Sequence, residues 1–349
     1  RFLLENFGPL PKEALHAPSS CSGVKFHFPS LRSVAMEFDG GPTPHLYRKT
    51  ADLWILQSGA EVHDRTEFKG LEDKGTHVDV RAEKDGRAVR YRARRVIGAD
   101  GPGLSVVRAV YPEYARNIPW FVVGQKFHSI IACPLDDKYF HFWFHPELGH
   151  YTWSHARDGK QIVGVGFIKG SNFDERHSRV VEYLETKHGV KLGPGGETEI
   201  VTANFGPSLI NRYIFGKGNV LITGQAAGFY NMIAEGMSCA LHSCAIACEA
   251  AVESFRSPVN VQRTYRGMIA SEVRRCSDQW NPLEIALGRP HEADFRGALR
   301  KLKFGDKLGI LGEILSFIRL YAPLNWGRQM LWQSICRQLL GRYPSGRWL

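Results

Sequence analysis

Apolar and polar positions alternate along several short segments of the chain, as is typical of β-strands with one buried face. In "THVDVRAEKDGRAVRYRARRVIGADGPG", Val78 and Val80 alternate with polar residues, and a second alternating strand follows the turn at Asp85 and Gly86. Further candidate strands are "GVKFHFPS" and "SVAMEFDG" and, between about 119 and 204, "WFVVGQKFH", "YFHFWFH", "HYTWSH" and "QIVGVGFI". The pattern therefore predicts several sheets and a β-rich middle block.

Helical periodicity appears in two places. "RKTADLWILQSGAEV" predicts a helix running into a strand, with Leu53, Trp54 and Leu56 on its apolar side and Gly59 as its stop. From Ala245 onward the pattern is largely helical, and the chain has no repeats and no low-complexity tract.

Composition narrows the class of protein. A chain of 349 residues with 43% hydrophobic content is long enough for two or three domains' worth of core. The net charge of +10 is scattered along the chain, without a nucleic-acid-binding signature, so we expect no nucleic acid partner. Seven cysteines form no C-x-x-C motif, which favours a reducing compartment. Cys244 and Cys248 lie one helical turn apart, but packed thiols fit them better than a metal pair, and we predict no metal site.

The ends of the sequence suggest a larger context. The chain starts at Arg1 without an initiator Met or a targeting peptide, and we expect it to be the interior of a longer, cytoplasmic protein. The apolar stretch from Leu308 to Trp326 is interrupted by Glu313, Arg319 and Pro323, too often for a bilayer span. The basic C-terminal helices could still contact a membrane surface peripherally.

Two strand ends punctuated by glycine carry the candidate chemistry. In "VIGADGPGLSVVRAV" an apolar strand delivers Asp100 and Gly101 into a turn that precedes a helix. A carboxylate beside a residue without a side chain suits a polar cofactor at a strand end, although an ordinary strand-to-helix turn would also need glycine.

The second strand end is "GNVLITGQAAGFYNMIAEGMSCAL", residues 218 to 241. A buried strand runs into the small residues of the turn from Gly224 to Gly228, and then into a helix that carries little charge. Small residues let a flat ligand or phosphate approach the backbone, and the helix start offers free N–H groups and a positive dipole end to an anion.

Taken together, the motifs resemble the geranylgeranyl reductase family of flavoproteins, which has the p-hydroxybenzoate-hydroxylase-like fold. "YRKTADLWILQSGAEV" is similar to the family's R-x-x-F-D-x-W-L segment, and "RRVIGADGPGLSVVR" to its V-I-G-A-D-G-x-x-S-x-V-R motif. "LGHYTWSHARDGKQIVGVGF" resembles its Y-x-W and V-G-V-G block, and "GNVLITGQAAGFYNMIAEGMSCALHSC" its G-D-A-A-G-F-x-N-P-x-x-G-E-G-I motif. The four motifs occur in family order between about Tyr47 and Phe255.

The resemblance implies an α/β fold and FAD as the cofactor, with NAD(P)H or ferredoxin as the electron donor. It implies an FAD-binding, Rossmann-like domain at 45–118 and 205–255 without its first βαβ unit, a mostly antiparallel β substrate domain at 20–44 and 119–204, and a helical region at 256–349. By position, the implied FAD contacts are Arg48, Asp100, Gly101, Gly224, Gln225, Ala226, Ala227, Gly228, Gly236 and Met237.

The sequence departs from the family pattern at three points. The dinucleotide fingerprint G-x-G-x-x-G is nowhere in these residues, which we attribute to truncation. Gln225 stands where the family has aspartate, and a neutral amide changes the expected contact to the ribityl hydroxyls. The loop "YNMIAEGM" replaces the family's N-P-x-x-G-E-G-I.

The middle block bears on the substrate, for which the resemblance implies a prenyl chain or another apolar molecule of lipid biosynthesis. Alternation in "YFHFWFH" places His141, Trp143 and His145 on one face of a strand, and this face could line a cavity. Half-exposed histidines are the plainer interpretation. His141 and His145 are too far apart on a strand to share a metal ion. Tyr151 and Trp153 share a face of the next strand. The predicted substrate pocket is His141, Trp143, Tyr151 and Trp153.

The resemblance implies hydride transfer from reduced flavin to an isolated C=C bond. Tyr151 and His145 are the weak candidates for the proton donor. A flavin-dependent monooxygenase on the same fold is an open alternative. A non-catalytic descendant, acting as a binding or maturation partner, is another, favoured by Gln225 and the altered loop.

Overall fold

The computed structural model divides the chain into two units. The first comprises Arg1–Glu61, Trp120–Ala203 and Ala286–Gly327, and the second Val62–Pro119, Asn204–Ile285 and Arg328–Leu349. The residues described are 2–27, 33–38, 41–57, 59–113, 121–143, 145, 148, 151–168, 172–203, 213–230, 235–257, 259–279 and 305. Both sheets and helices are present, which confirms the predicted α/β class.

The first unit is built on a seven-stranded sheet. Its described strands are β1 (Leu15–Cys21), β2 (Gly23–His27), β3 (Ser33–Glu37), β4 (Thr43–Leu46), β9 (Phe121–Ala132), β10 (Tyr139–Trp143), β11 (Tyr151–Arg157), β12 (Lys160–Ile168) and β13 (Lys191–Ala203). The large sheet has the order β13-β9-β12-β11-β10-β2-β3, and β1 pairs with β4 separately. Neighbouring strands are antiparallel except β10 and β2, which run parallel. The strands predicted in this block are confirmed.

In the part of this unit that the structure describes, the α-helices are α1 (Phe2–Phe7), α2 (Arg48–Leu56) and α4 (Phe173–His188). The prediction for α2 is right about the helix and wrong about its buried side, since Leu53 and Leu56 are exposed and Ala51 is fully buried. The small Ala51 suits a close approach of the helix to the turn that ends at the equally buried Ala14, whose carbonyl accepts the N–H of Tyr47 at 2.8 Å. The strand expected directly after this helix starts only at residue 66.

Helix α4 lies within the block predicted to be mostly β. Asn172 caps it, because its side chain accepts the N–H of Asp174 at 3.0 Å, and Gly189 ends it with a φ of +67°. Val180 and Leu184 pack in a fully buried cluster with Trp143 of β10. The helix therefore covers one face of the large sheet.

The second unit contains two three-stranded sheets and five helices in its described part. The strands are β5 (Thr66–Asp73), β6 (Val78–Lys84), β7 (Arg87–Ala93), β8 (Val96–Gly98), β14 (Gly216–Lys217) and β15 (Val220–Ile222). The helices are α3 (Ser105–Val110), α5 (Gly224–Ala227), α6 (Met237–Arg256), α7 (Val261–Met268) and α8 (Ala270–Gln279). The sheets have the orders β5-β6-β7 and β14-β15-β8. Asn219 joins them, since its side-chain amide donates to Asp73 at 2.8 Å.

Other expectations meet the structure only in part. Residues 45–61 group with the first unit, whereas the sequence placed them in the cofactor domain, and the functional division into domains stays a prediction. The sequence predicted that Cys244 and Cys248 are packed thiols. In the structure Cys248 is exposed and Cys244 is only partly buried, so the prediction is wrong for Cys248. Within the described part of the chain, no helix is both long and apolar enough to cross a bilayer. The stretch from Leu308 to Trp326, proposed for membrane contact, lies outside the described residues.

Candidate functional site

The two glycine-punctuated strand ends lie side by side in the second unit. Strands β8 and β15 pair in parallel, with Val96 opposite Val220 and Gly98 opposite Ile222. The N–H of Thr223 donates to the carbonyl of Gly98 at 2.9 Å, which continues the pairing to the point where both strands end. Crevices outside the carboxyl ends of parallel strands are the usual ligand sites of open α/β sheets. The structure thus brings together the two motifs that the sequence singled out.

The first turn holds Asp100 with one oxygen in use and the other buried without a partner. Oδ2 accepts the N–H of Val106 at 3.1 Å and so fixes the start of α3. Oδ1 is buried and has no hydrogen-bond partner among the described residues. At Gly101 a side chain would meet nothing within 4 Å, so the backbone borders open space there.

The second turn is the short helix α5 and its flanking glycines. Gly224 and Gly228 have φ angles of +61° and +97°, values that residues other than glycine rarely adopt. The hydroxyl of Ser243 on α6 accepts the N–H of Gly224 at 3.0 Å and the hydroxyl of Thr223 at 2.8 Å. Nε2 of Gln225 is buried and lacks a partner among the described residues.

Packing explains part of the bareness that the sequence analysis attributed to a ligand. A Cβ on Gly224 would lie 3.4 Å from the Cβ of Ala240, so this glycine lets α5 lie against α6. A Cβ on Gly236 would lie 3.1 Å from the ring of Tyr230. Ala226 and Ala227 are fully buried. Packing thus accounts for these small residues without a ligand.

The start of α6 is capped by the protein's own carboxylate. Oε1 of Glu235 accepts the N–H of Ser238 at 2.9 Å, and its Oε2 accepts the Ser238 hydroxyl. The N–H of Ser238 is therefore not free, contrary to the expectation of several open donors at this helix start. Gly236 and Met237 are partly exposed, and their predicted contact to the flavin stays a prediction. Residues 231–234 lie outside the described part.

Arg48 lies in the first unit, in the first turn of α2. Its guanidinium is largely exposed and pairs with Asp52, one turn further along, at 3.1 Å. The predicted contact between Arg48 and a pyrophosphate stays a prediction, as does the rest of the proposed FAD contact set.

The predicted substrate residues of the first unit are mostly buried. His141 and Trp143 are each about 1% exposed, which contradicts the interpretation of His141 as a half-exposed histidine. The physical reason is α4, which covers the face of β10 that the sequence left open. Trp153 is also buried, and its ring lies against Gly164 of the neighbouring strand.

His141 and Trp143 belong to a histidine cluster. Nε2 of His141 donates to the carbonyl of Asp136 at 2.8 Å, so its Nδ1 is the acceptor for Nε2 of His27, also at 2.8 Å. The indole N–H of Trp143 donates to His188 at 2.9 Å. Burial, with the nearby His141 and His188, lowers the pKa of His27 to about 3. The cluster is therefore neutral near pH 7.

The two candidate proton donors are less well defined. Tyr151 pairs through its backbone with Gly166 of β12, and its side chain lies outside the described residues. His145 is partly buried, and its ring centroid lies 5.3 Å from that of Tyr183. Sequence reasoning missed Ser243, which holds the turn at Gly224, and Glu235, which caps the start of α6. A serine and a glutamate near a glycine-rich turn occur at no fixed spacing, so the sequence pattern alone did not identify these two residues.

Comparisons with known proteins agree with this architecture. No family model matches the chain. Protein CbrA of Escherichia coli O9:H4 is 29% identical over 213 residues, which cover 58% of this chain and 54% of that protein, so the match spans about half of its curated relative. A geranylgeranyl bacteriochlorophyll reductase-like protein of Thermoplasma acidophilum superimposes with a TM-score of 0.68 and 16% identity, covering 93% of this chain and 87% of that one.

Among other solved structures, p-nitrophenol 4-monooxygenase PnpA of Pseudomonas putida superimposes with a TM-score of 0.55 and 12% identity, covering 89% of this chain and 81% of that one. Because these sequence identities are low, the superpositions show a similarity of fold. This chain has the fold that these proteins share with a flavoprotein/dehydrogenase of Cytophaga hutchinsonii and the FAD-dependent halogenase CndH.

Proposed function

We propose that the chain is part of an FAD-dependent oxidoreductase that saturates a C=C bond of an apolar substrate, such as a prenyl chain. The observation that carries the cofactor assignment lies in the turns after two adjoining parallel strands. There Asp100 Oδ1 and Gln225 Nε2 are both buried and have no hydrogen-bond partner within the described part of the chain. Buried polar atoms are almost always hydrogen-bonded in native proteins. Both atoms therefore support a bound ligand that supplies their hydrogen bonds.

The ribityl chain of FAD fits the chemistry of this donor and acceptor pair. A hydroxyl group can donate to Asp100 Oδ1 and accept from Gln225 Nε2, and neither atom requires a charged ligand. The open space beside Gly101 lets a ligand reach the backbone of the first turn. When bound, FAD would supply the hydride chemistry, while this chain positions the cofactor and substrate and excludes water.

The reductase assignment draws on the Tyr151 and Trp153 motif and on the geranylgeranyl reductase-like neighbour. On this proposal the electron donor is NAD(P)H or ferredoxin, and Tyr151 or His145 delivers the proton. Contact with a membrane through the helices predicted for the basic C-terminal region would bring the enzyme to an apolar substrate, and it belongs to the same proposal.

Two alternatives each have an observation in their favour. The monooxygenase neighbour shares the fold, which supports oxygenation of an aromatic or alkene as the second candidate. Gln225 in place of the family's aspartate, and the capping of α6 by Glu235, support a fold kept for binding without catalysis.

Flavin content and the fate of substrate distinguish the three functions. The experiment uses the full-length protein, including any residues that precede Arg1, and titrates FAD into wild type and Asp100→Ala while recording the flavin spectrum. We expect wild type to bind FAD at micromolar concentration or below. The affinity of the variant should be at least about tenfold weaker, because it lacks one hydrogen bond to a charged group.

Turnover is then measured with a reduced electron donor and a prenyl substrate. A product heavier by two hydrogens supports the reductase. Substrate-stimulated oxygen consumption with oxygen in the product supports the monooxygenase and contradicts the reductase. A colourless protein that does not bind added FAD contradicts both enzymes and leaves the non-catalytic role.

A further inference from the structure

Two cysteines from different helices meet between α6 and α8 in the second unit. Cys239 lies in the first turn of α6, and Cys276 lies on α8, one helical turn after Glu272. Both cysteines are fully buried, and Glu272 beside them is 5% exposed. The proposed flavin chemistry uses none of these side chains.

The two sulfurs are close to the separation of a bonded pair. Sγ of Cys276 lies 3.8 Å from Sγ of Cys239. A disulfide holds its sulfurs about 2.05 Å apart, so a movement of about 0.9 Å by each sulfur would join them. The bond would close a loop that runs from the first turn of α6 through α7 to α8, and it would fasten α8 to the start of α6.

Arg275 lies beside the two sulfurs and leaves the line between them open. Its Nη2 is 3.5 Å from Sγ of Cys239 and 4.0 Å from Sγ of Cys276, so the nitrogen and the two sulfurs form a nearly equilateral triangle. Nη2 and Nε also donate to the two carboxylate oxygens of Glu272 at 2.6 and 2.8 Å. The ion pair holds the guanidinium in this position, where it does not obstruct the approach of one sulfur to the other.

We propose that Cys239 and Cys276 are a modification site, at which hydrogen peroxide joins the two thiols in a reversible disulfide between α6 and α8. The cysteine pattern of this chain favours a reducing compartment, where disulfides are commonly transient and redox-sensing. The burial of both sulfurs restricts the oxidant to a molecule as small as hydrogen peroxide. The site consists of the chain's own thiols and does not depend on the function proposed above.

The surroundings of the two sulfurs give them different parts in the reaction. Cys239 faces the guanidinium of Arg275, which stabilises a thiolate, the nucleophilic form of cysteine. Cys276 lies 3.7 Å from the carboxylate of Glu272. Its hydrogen bond to Cys239, together with burial, raises the pKa of Cys276, so this thiol keeps its proton. Cys239 is therefore the attacking thiol and Cys276 the resolving thiol.

The reaction balances in atoms and electrons. The Cys239 thiolate attacks one oxygen of hydrogen peroxide and the O–O bond breaks, which leaves a sulfenic acid and, with the proton that the thiol released, one water. Cys276 then attacks the sulfenic sulfur, the S–O bond breaks, and the hydroxyl leaves with the Cys276 proton as a second water. The thiols lose two electrons and two protons, and the peroxide is reduced. A dithiol reductant reverses the modification by thiol–disulfide exchange.

Peptide mapping of the full-length wild-type protein tests the site. The protein is reduced, freed of reductant, treated with hydrogen peroxide in its folded state, alkylated under denaturing conditions and digested without reduction. We expect a cross-linked peptide that contains Cys239 and Cys276 and disappears with dithiothreitol. The oxidised protein should also melt a few degrees higher than the reduced protein, because a disulfide restricts the unfolded chain.

Serine variants separate the roles of the two sulfurs. Cys276→Ser keeps the attacking thiol, so peroxide should produce a sulfenic acid at Cys239 that dimedone traps. In Cys239→Ser, the remaining Cys276 should react with peroxide at least about tenfold more slowly than Cys239 does in Cys276→Ser. Cys248→Ser is the matched control, because it changes an exposed cysteine of α6 and should form the cross-link as wild type does.

The exposed Cys248 also fixes the dose, since peroxide is raised until this thiol is oxidised in wild type. The proposal is overturned if folded wild type at that dose gives no Cys239–Cys276 cross-link, or if the cross-link joins Cys244 to Cys248 instead. Both readouts come from wild type, so they decide the matter even where a serine variant does not fold.

Discussion

The hydroxyl of Ser243 accepts the backbone N–H of Gly224 at 3.0 Å. The same oxygen accepts the hydroxyl of Thr223 and donates to the carbonyl of Cys239 at 2.7 Å. One fully buried side chain on α6 therefore holds the point where β15 ends and the candidate cofactor turn begins. The geometry of that turn depends on a residue some 20 positions away in sequence.

Replacing Ser243 by alanine should lower both stability and FAD affinity. The N–H of Gly224 and the hydroxyl of Thr223 would each lose a buried partner, and we expect the free energy of unfolding to fall by about 1–3 kcal/mol. Urea unfolding measures the first effect and FAD titration the second. Ser257→Ala is the control, because its hydroxyl, just after α6, makes a long, exposed hydrogen bond to Glu253 at 3.4 Å. Equal stability of the two variants would contradict the role of Ser243.

The ion pair of Arg275 and Glu272 should be strongly coupled. Both side chains are largely buried, so Arg275→Leu leaves a buried carboxylate without its partner and should cost about 3–5 kcal/mol. The double variant Arg275→Leu, Glu272→Leu removes both charges and should recover most of that loss. Urea unfolding of the two single variants and the double variant gives the coupling. Additive losses would contradict the coupling of the two side chains.

Acid should destabilise the protein through its buried histidines. Burial lowers the pKa of His27 to about 3, and burial with the nearby His128 and Lys126 lowers that of His177 to about 4. Below about pH 6.5 the unfolded chain binds protons at these rings while the folded chain does not, so stability falls as the pH drops toward 4. Each such histidine contributes at most about 1.4 kcal/mol per pH unit within that window.

The variant His177→Phe separates titration from packing. A phenyl ring can still stack on His128, whose ring centroid lies 5.2 Å from that of His177. The difference in unfolding free energy between variant and wild type at pH 8 gives the packing cost alone. Between pH 6.5 and 4.5 the variant should lose less stability per pH unit than wild type. An unchanged slope would show that His177 titrates normally in the folded protein.

Local patterns in the sequence predicted the elements that depend on local physics. The Asp85-Gly86 turn forms with both residues at positive φ, as this dipeptide favours. Strand β8 ends at Gly98 and β15 at Ile222, shortly before the turns predicted at Gly101 and Gly224. The buried side of α2 was predicted wrongly, because nine helical residues do not reveal which face another segment covers.

Helix α4 was missed although its sequence carries a signal. Phe173, His177, Val180 and Leu184 recur at helical spacing after the cap Asn172, but charged residues dominate the segment. Its absence from the prediction also caused the error at His141, whose face it covers. The grouping of Cys239 with Glu272 could not be predicted, since only the packing of α6 and α8 brings them together.

Gln225 offers a test in which stability and cofactor binding should move in opposite directions. Its buried Nε2 has no partner among the described residues, so Gln225→Leu removes an unsatisfied amide and should leave the flavin-free protein equally stable or more stable by about 1 kcal/mol. The same variant should weaken FAD binding about tenfold, or 1.4 kcal/mol, because a ribityl hydroxyl loses its donor. Gln225→Asp introduces the aspartate that the geranylgeranyl reductases have at this position. Its FAD affinity should stay within about tenfold of that of wild type. Urea unfolding without flavin, and FAD titration of all three proteins, decide the matter. A flavin-free Gln225→Leu that is clearly less stable means that the amide has a protein partner, and equal FAD affinity in all three means that Nε2 does not face the cofactor.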